Sequence, residues 1–219
     1  MMFLAWEVSG GHFNPTITLG VFIGNIKDAG NNLVIMLVMI VSQFIGAFTG
    51  IFWGWLALCD YNLPLTDNTV SSSWWGVIAP ISPYGGIDTG GEHGFTRDWQ
   101  TFYAMIFSTL ILSLVYCHIK LPETAGTQDK IVNIIALTII YAGINSINTK
   151  FGPAGSNPAI AAAYIAFIAS QADDAQSVNH YLWVYMISPF IGAACGGILY
   201  LIHSRCANTK GRDNSVSIE

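Results

Sequence analysis

Apolar residues gather along the chain into four long runs, 33–58, 102–119, 131–148 and 181–203, separated by polar punctuation. At about 1.5 Å per residue each can cross a hydrocarbon layer about 30 Å thick, which predicts four full membrane-spanning helices. Two shorter apolar runs, 15–24 and 158–170, would reach only about 15 to 20 Å as helices. A helix that short in such a chain is either re-entrant or interfacial.

Both short runs open on Asn-Pro, at Asn14-Pro15 and Asn157-Pro158. Asn is a leading N-cap and Pro suits the first helical position, so a half-helix should start at each Asn. The unpaired N–H groups and partial positive charge of a helix start cannot be satisfied by lipid. The two starts should therefore face each other or a watery cavity. An internal repeat supports this pairing. Asn14-Pro15-Thr16-Ile17 returns as Asn157-Pro158-Ala159-Ile160, and Ser42-Gln43-Phe44-Ile45-Gly46-Ala47 returns as Ser188-Pro189-Phe190-Ile191-Gly192-Ala193, about 143 to 146 residues later. Three full spans separate the half-helices, an odd number of crossings, so the two copies should be inverted.

Composition narrows the class further. Of 219 residues, 53% are hydrophobic and only 10% charged, far too few charges for an ordinary solvated domain. The net charge of -5 comes without any basic run, so nucleic acid is not an expected partner. Lys27, Lys120, Lys130, Arg205, Lys210 and Arg212 fall on one predicted side, against Arg97 and Lys150 on the other. The richer side should be cytoplasmic or its equivalent, which places the long 59–100 connection, with Trp74 and Trp75, outside. Cys59, Cys117, Cys195 and Cys206 lack paired spacing and read as packing residues, with no disulfide framework and no metal site. His118 and His203 fall at span ends and read as interfacial imidazoles. Gly46, Gly50, Gly54, Gly192 and Gly196 have the spacing of helix-packing contacts. No nucleophile with a base and no phosphate-binding loop occurs, so neither an enzyme nor a cofactor is expected. The domain boundaries expected are one transmembrane unit over 1–204 and a polar, aperiodic tail over 205–219.

The segment Ser9-Gly10-Gly11-His12-Phe13-Asn14-Pro15-Thr16-Ile17-Thr18-Leu19-Gly20 strongly resembles the first signature box of the major intrinsic protein family, the aquaporins and aquaglyceroporins. Gly155-Ser156-Asn157-Pro158-Ala159 resembles the second box, and the Ser42 to Ala47 and Trp183 to Ala193 segments are similar to the family's third and sixth helices. The resemblance implies an all-α membrane protein: an aquaporin-like bundle, here with four full spans and two re-entrant half-helices, the first helix and most of the second being absent. It also implies a tetramer in a lipid bilayer, passing water or small neutral solutes.

The central constriction would be formed by Asn14, Pro15, Thr16, Asn157, Pro158 and Ala159. Each Asn side-chain oxygen can cap backbone donors while its amide N–H groups point into the pore. His12, Asn145, Ala154 and Ile160 would line the path or its filter. Ile160 stands where the family pattern usually has Arg, and Met105 where it usually has a buried Glu. The function expected is a passive channel. The alternative is a non-conducting, channel-derived structural subunit held by helices of a larger membrane complex.

Overall fold

The computed structural model describes residues 5–6, 9–26, 29–58, 94–121, 124, 127, 129–148, 156–171 and 182–216. Among the described residues six helices of ten residues or more follow one another: α1 (Pro15–Gly24), α2 (Ala29–Leu58), α3 (Gly94–Lys120), α4 (Lys130–Asn148), α5 (Pro158–Gln171) and α6 (Leu182–Val216). Four of them, α2, α3, α4 and α6, are long and apolar enough to cross a membrane, and α1 and α5 are the short apolar pair. The expected half-helix starts coincide with the observed ones, because Asn14 and Asn157 supply caps and proline follows directly. Helix α6 continues to Val216, through most of the segment set apart as a tail. Trp74 and Trp75 lie outside the described residues.

α3 and α6 form the central pair. Their N-terminal parts meet through aromatic rings, with Trp99 5.9 Å from Trp183 and Phe102 5.5 Å from Trp183. Farther along they meet again at His118 and His203, so the two helices run in the same direction. Between these points the helices approach to backbone contact. A Cβ placed on Gly196 would lie 2.6 Å from the Leu110 carbonyl oxygen, and one on Gly192 would collide with the Ile106 carbonyl and the Thr109 hydroxyl. Ser113 uses this proximity to donate to the Ala193 carbonyl at 3.1 Å. Half-helix α1 nests against the same pair. A Cβ on Gly197 would meet the Gly20 carbonyl oxygen at 2.6 Å, and one on Gly20 would collide with Ser113.

Half-helix α5 packs instead against α2 and α6. Its inner face, Ala161 and Ile165, is buried with Met105 of α3 and Tyr185 of α6. The outer helices are much less covered. Only 6% of the apolar stretch of α2 is buried, against 44% for α6. Val34, Val38, Val41, Ile45 and Trp53 of α2 all stand exposed, as lipid-facing residues do.

This difference corrects one expectation. Gly192 and Gly196 are helix-packing contacts, but among the described residues nothing lies within 4 Å of a Cβ placed on their repeat counterparts Gly46 and Gly50, or on Gly54. The local sequence is alike in both copies; among the described residues only the second stripe meets a neighbouring helix. Cys117 is buried beside Leu121 and Tyr200, as a packing residue, whereas Cys206 is exposed.

A single methyl group separates the two glycine stripes experimentally. Gly192→Ala and Gly196→Ala should each destabilise the purified protein by about 1–3 kcal/mol, the cost of overpacking a closed contact. Gly46→Ala should be neutral or stabilising by up to about 1 kcal/mol, because it only raises helix propensity. Thermal unfolding in detergent measures both. An equal loss at Gly46 would mean that another helix covers α2 in the purified protein.

Candidate functional site

The site is built where the two half-helices start. Asn14 caps α1: its Oδ1 accepts from the Thr16 backbone N–H at 3.0 Å and from the Thr16 hydroxyl at 2.8 Å. Asn157 caps α5 in the same manner, accepting from the Ala159 N–H at 3.2 Å. Pro15 and Pro158 occupy the first helical positions, where a missing N–H removes one orphan donor. Both Asn side chains are buried, 1% and 4% exposed. In that setting an unmet polar atom costs about 1–3 kcal/mol, so their remaining donors must find partners.

The partners are reciprocal. The Asn14 amide donates to the Ser156 carbonyl at 2.6 Å, and the Asn157 amide donates to the Phe13 carbonyl at 3.0 Å. Each box thus grips the residue that directly precedes the other box's Asn. Asn14 and Asn157, read as pore donors from the sequence, are brought together with Thr16, whose hydroxyl also lies 3.4 Å from the Ser156 carbonyl. An amide carries two N–H groups, and one on each Asn is committed to this cross-link. At most one per residue remains for a solute, which revises the expectation that both face the pore.

The lead-in to the first box is held from two sides, by α2 and α3. Gly10 and Gly11 adopt φ of 71° and 75°, left-handed backbone that glycine enters without strain. Tyr116 of α3 donates its hydroxyl to the Gly10 carbonyl, and Gln43 of α2 donates to the His12 carbonyl and, at 2.9 Å, to the Thr18 hydroxyl. His12 packs edge-on against Tyr116, ring centroids 5.2 Å apart, and its Nδ1 is buried without a partner. Lys120 lies over the Trp6 ring, 3.9 Å from its centroid.

The remaining candidates are placed less uniformly. Asn145 accepts from the Ser156 hydroxyl at 2.7 Å, so it braces the second box. Ile160 is 37% exposed, one turn into α5. Pro158 and Ala159 are buried at its start. Ala154 lies outside the described residues. Met105, standing where the family pattern usually has a buried Glu, is fully buried against Ala161 and Ile165 and supports the second half-helix by packing.

Sequence reading did not single out Tyr116, Ser156 or Gln43 as site residues. Gln43 stands within the repeated segment, where its counterpart is Pro189, and that break in the repeat was the available signal. Among the described residues, no group of three metal-ligating side chains gathers.

The reciprocal grip makes the two caps interdependent. Asn14→Ala and Asn157→Ala should each cost about 1–2 kcal/mol of stability, as buried caps do. The double variant should cost less than the sum of the two, since each residue's partner carbonyl is positioned by the other box. A double-mutant cycle by thermal unfolding checks this; strict additivity would mean that the boxes are held independently.

Comparison with known proteins bears on this geometry. The family model for the major intrinsic proteins matches residues 1–200. An Aquaporin-4 of Milnesium tardigradum is 23% identical, over 92% of this chain and 56% of its own length. Aquaporin Z of Bradyrhizobium diazoefficiens is 25% identical over 91% of this chain and 72% of its own, and Aquaporin Z of Photorhabdus laumondii 25% identical over 91% and 75%. The chain thus spans little more than half the length of the first of these relatives. Four helices apolar enough to cross a bilayer make it an integral membrane protein. With its two capped half-helix starts locked together and the family match running through residue 200, the chain belongs to the major intrinsic protein family.

Proposed function

We propose that the chain forms a passive channel for water or small neutral solutes in a lipid bilayer. The observation that carries this reading is the reciprocal capping of α1 and α5 by Asn14 and Asn157. Two helix N-termini converging at one point present partial positive charge to anything passing, which disfavours cations. The remaining amide N–H groups donate and cannot accept, so a water bonded to both holds its oxygen toward them and cannot relay a proton between neighbours. The aquaporin names of the relatives point to the same class.

On this reading His12 lines the inner mouth, and Asn145, Ala154 and Ile160 shape the outer filter. Ile160 offers neither charge nor donors, so the filter is wide and weakly selective, open to glycerol- or urea-sized solutes. The chain assembles as a tetramer or with the helices of a larger membrane complex. The alternative of a non-conducting structural subunit finds no support in the comparisons.

Stopped-flow light scattering on reconstituted vesicles tests the proposal. Vesicles carrying the protein should shrink faster under an osmotic gradient than empty ones, and Asn157→Asp, which removes the donor, should slow them. Permeability equal to that of empty vesicles, with the protein folded, would sink the reading. Ile160→Arg should lower the ratio of glycerol to water flux, because the guanidinium narrows the path and adds a charge. A solute profile indifferent to that substitution would place residue 160 away from the constriction.

A further inference from the structure

The last turn of α3 and the second half of α6 bring together two imidazoles that stand 85 residues apart in sequence. His118 Nε2 and His203 Nδ1 are 2.9 Å apart, with ring centroids separated by 4.9 Å. His118 Nδ1 lies 2.8 Å from the Leu114 carbonyl oxygen. A carbonyl can only accept, so in the neutral ring the proton sits on Nδ1 and Nε2 presents a lone pair. The ring is also held edge-on by Tyr200, 5.1 Å away at 88°. Tyr200 is itself fixed, accepting from the Thr124 hydroxyl at 3.2 Å and packing on Gly24, the last residue of α1.

A metal-binding imidazole commonly has its second nitrogen donate to a backbone carbonyl, which sets the tautomer and aims the lone pair. His118 has that arrangement before any metal arrives. We propose that His118 and His203 form a site for an imidazole-preferring divalent ion such as Zn2+, clasping α3 to α6. Two nitrogens bound at about 2.05 Å with a tetrahedral angle lie about 3.3 Å apart, so the pair needs to open by less than half an ångström. His203 is exposed and can make that adjustment. Its proton moves to Nε2, both lone pairs then converge on the ion, and water completes the coordination.

The surroundings permit a cation there. Lys120, two residues beyond His118, directs its ammonium over Trp6. Arg205 and Cys206, on the next turn of α6, are both exposed. The clasp lies beside the Tyr200 ring against which α1 ends, so a bound ion would stiffen the seat of that half-helix.

Calorimetric titration of zinc chloride into the detergent-purified full chain tests the site. One Zn2+ should bind per chain, with affinity falling on the order of tenfold or more in His203→Ala and in His118→Gln. Zinc should also raise the unfolding temperature of the wild type but not of His203→Ala, whose exposed position leaves the zinc-free fold intact. Cys206→Ser should bind as the wild type does. Absence of binding, equal affinity in wild type and His203→Ala, or loss of binding in Cys206→Ser alone would each overturn the assignment. None of these readouts depends on solute transport, so a failure here is distinct from a failure of the channel proposal.

Discussion

Everything at the centre of this molecule depends on satisfying two helix starts in surroundings that offer no bulk water. A helix N-terminus leaves backbone N–H groups without partners, and in an apolar layer each unmet group costs several kcal/mol. The chain meets this demand twice over. Each Asn oxygen caps its own helix, and each Asn amide bonds the carbonyl that precedes the opposite cap. Capping and cross-linking use different atoms of one side chain, which is why Asn fits here and Ser or Asp, lacking amide donors, would not.

That joint can form only because the flanking helices let the half-helices come close. Gly20, Gly192, Gly196 and Gly197 replace side chains with backbone contact, so α1, α3 and α6 interlock with almost no intervening volume. Without a hydrophobic force between helices in lipid, such close packing supplies the association energy. The second half-helix is seated differently, its Ala161 and Ile165 lying on Met105 and Tyr185, large apolar groups where the first half-helix meets glycine. Two copies of one repeat have therefore reached similar placement by different packing.

Around the first box, polar side chains from two spans take hold of an irregular backbone. Gln43 and Tyr116 bond the carbonyls of His12 and Gly10, which no helix hydrogen bond serves. Irregular backbone at membrane depth persists where protein covers it, and these two residues with the His12 ring provide that cover.

Local chemistry was legible in the sequence. Apolar run length separated four spans from two half-helices, and Asn-Pro marked both half-helix starts, because capping and hydropathy act over a few neighbouring residues. The repeat and the signature boxes carried the family. Tertiary structure alone decided which carbonyls receive the Asn amides, since Ser156 and Phe13 are brought to them from 142 and 144 residues away. It decided that Gln43 would brace His12 and that Met105 would support α5 by packing. It also separated Gly192 from Gly46, equivalent in the repeat, by putting α3 against one and, among the described residues, nothing within 4 Å of the other. The reason is common to all four: a partner across the fold is a property of the surroundings, and no short stretch of sequence contains them.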